Sequence, residues 1–557
     1  MQFRWNHTQG APDYDRETGF GFVTGAVYTA DAALHIPETN SGFLPLWWYA
    51  GTPIFDIQQG EYGLQATAAE ALRAEDAADR RLPVWLRIQV PGEGVYRAEI
   101  TVTGTDGGEV LVFTGRRRLA WRGVLPAGAQ QIVTAYCDVF PIVPRGQADA
   151  VASDAVNIAV VGGALSAVAL AEAPHTRRIW VCGDSTVTDQ TGELPYAPGT
   201  SYAGWGQMLP AYLPEVCITN HAHSGLTTDS FLSEGHWAIV KPRLRAGDIC
   251  LFQFGHNDQK LAHLQARGGY TDRLCTYIKE TRTAGAVPVL ITPLARNSWR
   301  DPTHYNDFLA DFADAVLDLG KEEAVPVLDL HAYAMQLIRQ EGLETAKRWF
   351  YPGDYTHTND FGAYRMAGFV ASALGKAVGL PVADVPAWTP APPFAPLTPP
   401  KDCALPAPDT DPFADYDATR PQEVLTRAEA LELAIKALKL FPINVYNDLY
   451  ADIVGHETYA GTVQCAAQND LIPAAWIADG RLYPQRTVTA ADFLAVLMPG
   501  AAGRRPLAPP SPLPDSVPAY ARFAAGQAVA EQLISADSLN DPITRSDAAA
   551  LCRRLHI

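Results

Sequence analysis

Four short segments of this chain carry side chains that could do chemistry together. Gly183-Asp184-Ser185-Thr186 follows the apolar run Ile179-Trp180-Val181-Cys182. A short apolar run reads as a buried strand and the glycine as a sharp turn, which lifts the Ser185 hydroxyl to the open edge of a sheet. Far downstream, Asp354-Tyr355-Thr356-His357 sets a carboxylate three residues before an imidazole, so both act from one side of the chain. Ser185 is a poor nucleophile until a base takes its proton. His357 suits that task near neutral pH, and Asp354 could accept the other ring N–H and fix the tautomer. Between them lie Asn220-His221-Ala222-His223-Ser224-Gly225 and Gly255-His256-Asn257-Asp258. The backbone N–H groups of Ser185 and Gly225 and the side-chain amide of Asn257 would face the oxyanion of an ester's tetrahedral intermediate, each such donor being worth about 3 kcal/mol. The chemistry is acyl transfer from an ester through an acyl-serine, with water as second acceptor.

Each motif alone is weak. Gly-Asp-Ser and Gly-His-Asn-Asp are usually polar turns, and Asp-x-x-His is usually a cap or a solvated pair. Their joint order on successive strand ends carries the reading. His256 reads as a packing or supporting residue. His223, His236 and His304 lack carboxylates at short range and default to surface or core roles.

The positioning elements follow from hydrophobic period. From Arg178 on, the apolar runs Ile179–Cys182, Val216–Thr219, Ile249–Phe254, Ala286–Ile291 and Ala324–Leu330 alternate with amphipathic stretches. This order predicts a five-stranded parallel sheet between two helical layers, with ligands beyond the carboxyl ends of its strands. Before the last run, Tyr305, Phe308, Leu309, Phe312, Val316 and Leu319 hold one helical face, and Gly320 marks its stop. Residues 1–172 read as a β-sandwich, with at most one helical excursion at Ala66–Asp79. Val84, Leu86, Ile88 and Val90, then Tyr96, Ala98, Ile100 and Val102 past Pro91-Gly92-Glu93-Gly94, predict a hairpin with one dry and one wet face; strands follow at Val110–Phe113, Gln131–Tyr136 and Ala164–Ala171. The hydrolytic segment spans 173–385, a proline-rich linker 386–420, and a mostly helical repeat domain 421–557. Thr426, Thr489 and Thr544 each precede an acid by three residues, 63 and 55 residues apart, and predict repeated capped helices.

The chain's 557 residues require several cores, and a net charge of −18 excludes a nucleic-acid backbone as partner. No run is long enough to span a membrane. The eight scattered cysteines form no Cys-x-x-Cys pair, so neither a metal knuckle nor a disulfide scaffold is expected, and no cofactor is called for. The first residues hold no apolar core of signal-peptide length, which predicts a cytoplasmic protein; a secreted or cell-surface location is the alternative if a leader was removed.

The four motifs resemble the blocks of SGNH (GDSL-type) hydrolases. With Gly204-Trp205-Gly206-Gln207 and Arg282–Pro293, residues 176–380 resemble rhamnogalacturonan acetylesterases. The resemblance implies a three-layer α/β/α fold and metal-free deacetylation of pectic rhamnogalacturonan, with Ser185, Asp354 and His357 as triad and Gly225 and Asn257 completing the oxyanion hole. It also marks Trp205 as a candidate substrate contact. Leu226-Thr227 stand where such enzymes commonly carry Arg-Ser, and Arg296 and Arg300 could restore the lost charge beside a polyanionic substrate. The β-rich region is similar to galactose-binding-like jelly rolls, with Trp47, Trp48 and Tyr49 as core or sugar-facing aromatics. The C-terminal repeats are similar to S-layer homology modules, which implies a cell-wall polymer as a further partner. The rival readings are an acetylesterase acting on another glycan such as xylan, and a non-catalytic glycan- or wall-binding protein.

Overall fold

The computed structural model describes residues 2–24, 55–69, 78–143, 149–192, 194–261, 263–301, 304–390, 411–438, 440, 449–453, 457–502 and 506–555. Trp47, Trp48, Tyr49 and most of the proline linker lie outside them. The β-rich region is a two-sheet sandwich of β1 (Gln2–Asn6), β2 (Phe20–Phe22), β3 (Phe55–Gly60), β4 (Gly63–Ala68), β5 (Val84–Gln89), β6 (Gly94–Thr103), β7 (Glu109–Thr114), β8 (Arg118–Val124), β9 (Gln130–Val139), β10 (Ala155–Val161) and β11 (Ala164–Glu172). One sheet runs β3-β4-β11-β6-β9 with β1 also on β11, and the other runs β2-β5-β10-β7-β8.

Two expectations fail here for one reason. β5 and β6 are not a hairpin: β5 pairs with β2 and β10, while β6 pairs with β9 and β11 in the opposite sheet. The turn at Pro91–Glu93 is an arch, which lets the two apolar faces meet across the core. Nor does β5 have a wet face, since Trp85 and Arg87 are as buried as Leu86. Inward residues Val84, Leu86 and Ile88 fill the sandwich core. The outward set Trp85, Leu111, Phe113, Leu119, Ala159 and Val161 shares a core with Ile179, Val181 and Trp205 of the following segment. A strand covered on both sides keeps no wet face, so its outward side chains are apolar or paired as well. Of the expected helical excursion, Ala66–Ala68 belong to β4 and Ala78–Arg81 form a short 3-10 turn, while 70–77 lie outside the described residues.

The predicted parallel sheet is present. β12 (Arg178–Gly183), β13 (Cys217–Asn220), β14 (Ile249–Gln253), β15 (Val287–Ile291) and β18 (Val327–Leu328) lie in the order β13-β12-β14-β15-β18, with a two-stranded β16 (Trp299–Asp301) and β17 (His304–Tyr305) beside it. Ile179 and Val181 face helices Leu330–Ala346 and Asp360–Val378, while Trp180 and Cys182 face helices Thr271–Thr283 and Ala310–Glu322. Tyr305 sits in β17 rather than on a helix, and Gly320 lies inside the helix rather than at its end. The turn comes at Ala324, with φ +51, and the Val325 N–H closes on the Gly320 carbonyl. Gly320 is needed because a Cβ there would lie 2.0 Å from Val327 Cγ2.

Of the segment assigned to the linker, Trp388 is buried against Phe361 and Tyr364 and lies under Arg122 of β8. The C-terminal region has its own apolar core. Thr426, Thr489 and Thr544 do start helices, at Arg427–Ala437, Ala490–Ala502 and Arg545–Leu555, each with its hydroxyl accepting an N–H three residues on. The bridges Thr426↔Thr487, Thr489↔Pro542 and Val424↔Thr544 link the three starts in a ring.

Gly320→Ala is expected to force the Ala310–Glu322 helix away from β18 and destabilise the chain by about 1–3 kcal/mol, read as a lowered thermal unfolding midpoint.

Candidate active site

Strand order reverses at β12, whose neighbours are β13 and β14. The loops after these three strands therefore open into one crevice at their carboxyl ends. The turn after β12 is built for a sharp bend. A Cβ on Gly183 would lie 2.6 Å from the Gln253 carbonyl oxygen, so only glycine fits beside β14. Asp184 then folds the chain, its Oδ1 accepting from the Thr186 N–H at 2.9 Å and the Thr186 hydroxyl at 2.8 Å. Ser185 is left half-buried at the apex.

His357 and Asp354 meet Ser185 as the spacing predicts. Ser185 Oγ lies 2.8 Å from His357 Nε2, and His357 Nδ1 lies 2.7 Å from Asp354 Oδ2. Asp354 can only accept when ionised, so Nδ1 carries the proton and Nε2 is free to accept the Ser185 hydroxyl proton. Burial alone would push the Asp354 carboxyl up, but His357 and the Thr356 and His357 N–H groups hold it below the usual carboxylate range. The dyad closes on itself locally, with Tyr351 N–H donating to the His357 carbonyl and Asp354 N–H to the Tyr351 carbonyl.

Gly225 adopts φ +86, which favours glycine whatever the space around it. Its loop docks on the nucleophile turn through His223 N–H to the Gly183 carbonyl at 3.1 Å. Asn257 Nδ2 donates to the Leu226 carbonyl at 2.9 Å, and Lys260 Nζ donates to Asn257 Oδ1 at 2.5 Å. These contacts fix which way the amide points, and a primary amide holds a second N–H for another acceptor. Asp258 ties the same two loops together by accepting from the Thr228 N–H and hydroxyl and from the Gly255 N–H. Burial pushes the Asp258 carboxyl up to about 6 against those donors.

His256 does more than pack. Its Nδ1 lies 3.2 Å from Asp184 Oδ2, and its Nε2 lies 2.8 Å from the Leu294 carbonyl. The carbonyl can only accept, so Nε2 carries a proton, and one further proton lies between ring and carboxylate. Burial works against the Asp184 carboxylate, but His256 and Thr186 outweigh it and hold its pKa low. The residue before Ser185 is thus pinned to the residue before Asn257.

Two of the candidate substrate contacts are buried. Trp205 is wholly buried, with Nε1–H donated to Gln253 Oε1 at 2.7 Å. Its motif braces the nucleophile turn: Gly204 and Gly206 lie against Val187 and Thr188, and Gln207 Nε2 donates to the carbonyls of Arg116 and Gln190. Arg296 is buried and donates at 3.5 Å to the His256 carbonyl, with Nε and Nη1 buried without a partner. Burial lowers its guanidinium to about 10, while Asp184 and Asp354 oppose that shift. The Arg300 side chain lies outside the described residues. His236 and His223 pack ring to ring beside Phe231, and His331, not singled out above, pairs with Asp307.

The sequence reading overlooked Arg116, Arg117 and Arg118, at the turn between β7 and β8. Arg116 Nε pairs with Asp189 at 3.2 Å, and its Nη2 donates to the Asn220 carbonyl. Arg117 pairs with Asp360 at 2.6 Å and donates to the carbonyls of Gln190 and Tyr202. Arg118 pairs with Asp138 and Asp189 and donates to the Ile218 carbonyl. Asp360 is the third residue after His357, and Gln190 Nε2 holds the Ser185 carbonyl at 3.0 Å. The only sequence signal was the arginine run itself, which ordinarily denotes a solvated turn.

The GDSL-like Lipase/Acylhydrolase family model matches residues 181–365. Rhamnogalacturonan acetylesterase RhgT of Bacillus subtilis is 33% identical over 222 residues, which cover 37% of this chain and 93% of that protein. The probable rhamnogalacturonan acetylesterase YesY of the same organism is 33% identical over 215 residues, covering 37% of this chain and 95% of that protein. The uncharacterized esterase YxiM, also of Bacillus subtilis, is 25% identical over 384 residues, covering 65% of this chain and 85% of that protein.

Because Asp184 is fully buried, His256→Ala would strand its carboxylate, and a loss of about 3–5 kcal/mol in unfolding free energy is expected. His256→Asn, which can still offer Asp184 an N–H, is expected to lose less in the same denaturant titration.

Proposed function

The chain belongs to the GDSL-like lipase/acylhydrolase family and is a carboxylic ester hydrolase, and from that premise we propose that it removes O-acetyl groups from pectic rhamnogalacturonan oligosaccharides or polysaccharides, using Ser185, His357 and Asp354. The observation that carries the reading is the unbroken relay from Ser185 Oγ through His357 to Asp354, at 2.8 and 2.7 Å. Two relatives named as a rhamnogalacturonan acetylesterase and a probable one support the substrate class.

His357 Nε2 takes the hydroxyl proton as Ser185 Oγ bonds to the acetyl carbon. The carbonyl oxygen becomes an oxyanion facing the N–H groups of Ser185 and Gly225 and the Asn257 amide. As the intermediate collapses, the bond to the sugar oxygen breaks and that oxygen takes the proton from His357. Water then attacks the acetyl-serine, His357 takes the water's proton and returns one to Ser185 Oγ, and acetate leaves. Asp354 stays ionised throughout and stabilises the imidazolium.

Acetate release from acetylated rhamnogalacturonan, acetylated xylan and a chromogenic acetate tests the reading. The rhamnogalacturonan is expected to be the fastest of the two polysaccharides. Ser185→Ala should lower kcat on the order of 10⁴-fold or more, and Asn257→Ala about 10²–10³-fold with little change in KM. Parental rates from Ser185→Ala would refute the mechanism, and faster release from xylan would refute the substrate.

A further inference from the structure

One aromatic pair beside the relay is not used by the chemistry. Among the described phenylalanines, tyrosines and tryptophans between 173 and 390, Tyr202 is the one that is exposed, at 37%. It lies where exposure is hardest to explain by packing, next to the base: the Tyr202 and His357 rings are 5.6 Å apart at 86°. Tyr351 stacks on Tyr202 at 3.7 Å and 16°.

We infer that Tyr202, backed by Tyr351, is a stacking subsite for a pyranose ring of the substrate; this rests on the acetylated-sugar reading above. An aromatic face offers apolar area to the C–H face of a sugar while the phenol edge stays wet. The position suits an acetylated ring, because the imidazole that hydrogen-bonds Ser185 Oγ also borders the Tyr202 ring.

The wall is also tied to its surroundings through the backbone. The Tyr202 carbonyl accepts from Arg117 Nη2 at 2.5 Å, and Tyr202 forms a β-bridge to Asn359, the cap of the helix after His357. Tyr351 is held by its N–H to the His357 carbonyl. The backbone of both residues is therefore registered to the loop of the base and, through Arg117, to the sandwich. A preorganised platform adds binding without an ordering cost at the moment of association. The sandwich thereby helps build the substrate wall of the neighbouring cleft.

The test uses the full chain with Tyr202→Ala and Tyr202→Phe. The substrates are acetylated rhamnogalacturonan oligosaccharides, acetylated xylooligosaccharides and 4-nitrophenyl acetate. Tyr202→Ala should lower the ratio of kcat/KM on the preferred oligosaccharide to kcat/KM on 4-nitrophenyl acetate about tenfold, mainly through KM, and Tyr202→Phe should keep the parental ratio. If Tyr202→Ala does not fold, Tyr202→Leu gives the same comparison. An unchanged ratio overturns the subsite, whether both substrates lose activity together or neither does. If the parent cleaves 4-nitrophenyl acetate but no acetylated sugar, the substrate reading has failed and the subsite falls with it. A parent active on oligosaccharide with an unchanged ratio in the variant removes the subsite alone.

Discussion

Arg117 and Asp360 are each wholly buried and meet at 2.6 Å across the boundary between sandwich and parallel-sheet segment. Neither charge could be left there alone, since an unpaired buried charge costs several kcal/mol. The pair therefore makes the two segments conditional on each other, and Arg116 and Arg118 repeat the arrangement with Asp189. Arg117 holds φ +57, outside the range an L-residue prefers, which a turn supported by this many directed contacts can sustain. Around the charges, Trp85, Phe113 and Leu119 continue the apolar core of the sheet segment. The sandwich is thus fastened by both non-directional burial and directed ion pairs, the second fixing the register of the first.

What the arginine turn between β7 and β8 touches matters as much as its strength. Its acceptors lie on the backbone at Gln190, Tyr202, Asn220 and Ile218. Those positions flank the nucleophile turn, the wall beside His357 and the strand leading to Gly225. Within the crevice the loops are fastened again, Asp184 to His256 and Asp258 to Thr228. Donors held this way need little reorganisation when charge develops on a substrate oxygen, and this is where a hydrolytic site gains most.

The parts legible in the sequence were those whose cause is local. Five apolar runs became the five parallel strands because each run is buried on both faces and bounded by turns. Ser185, Gly225, Asn257 and His357 could be placed together because each follows a strand or loop end that topology brings to one edge. The threonine caps could be read because a cap and the N–H it accepts from are three residues apart. Misreadings came where distant contacts decide. Period two in β5 and β6 marks a buried face but not which sheet supplies the partner. Trp205 lies in a motif near the nucleophile in sequence, yet it packs beneath that turn against Gln253. Arg117 finds Asp360 across 243 residues, a pairing no local pattern encodes.

This division between local and distant causes also separates the duties within the cleft. Ser185, His357 and Asp354 sit on short loops whose shape comes from their own glycines, carboxylates and backbone N–H groups. The wall at Tyr202 takes its position from Arg117, a residue of a different sheet. The same arginine also holds Asp360, three residues after His357, so the turn between β7 and β8 bears on the base as well as on that wall. The turn that carries Ser185 instead depends on its own Gly183 and Asp184.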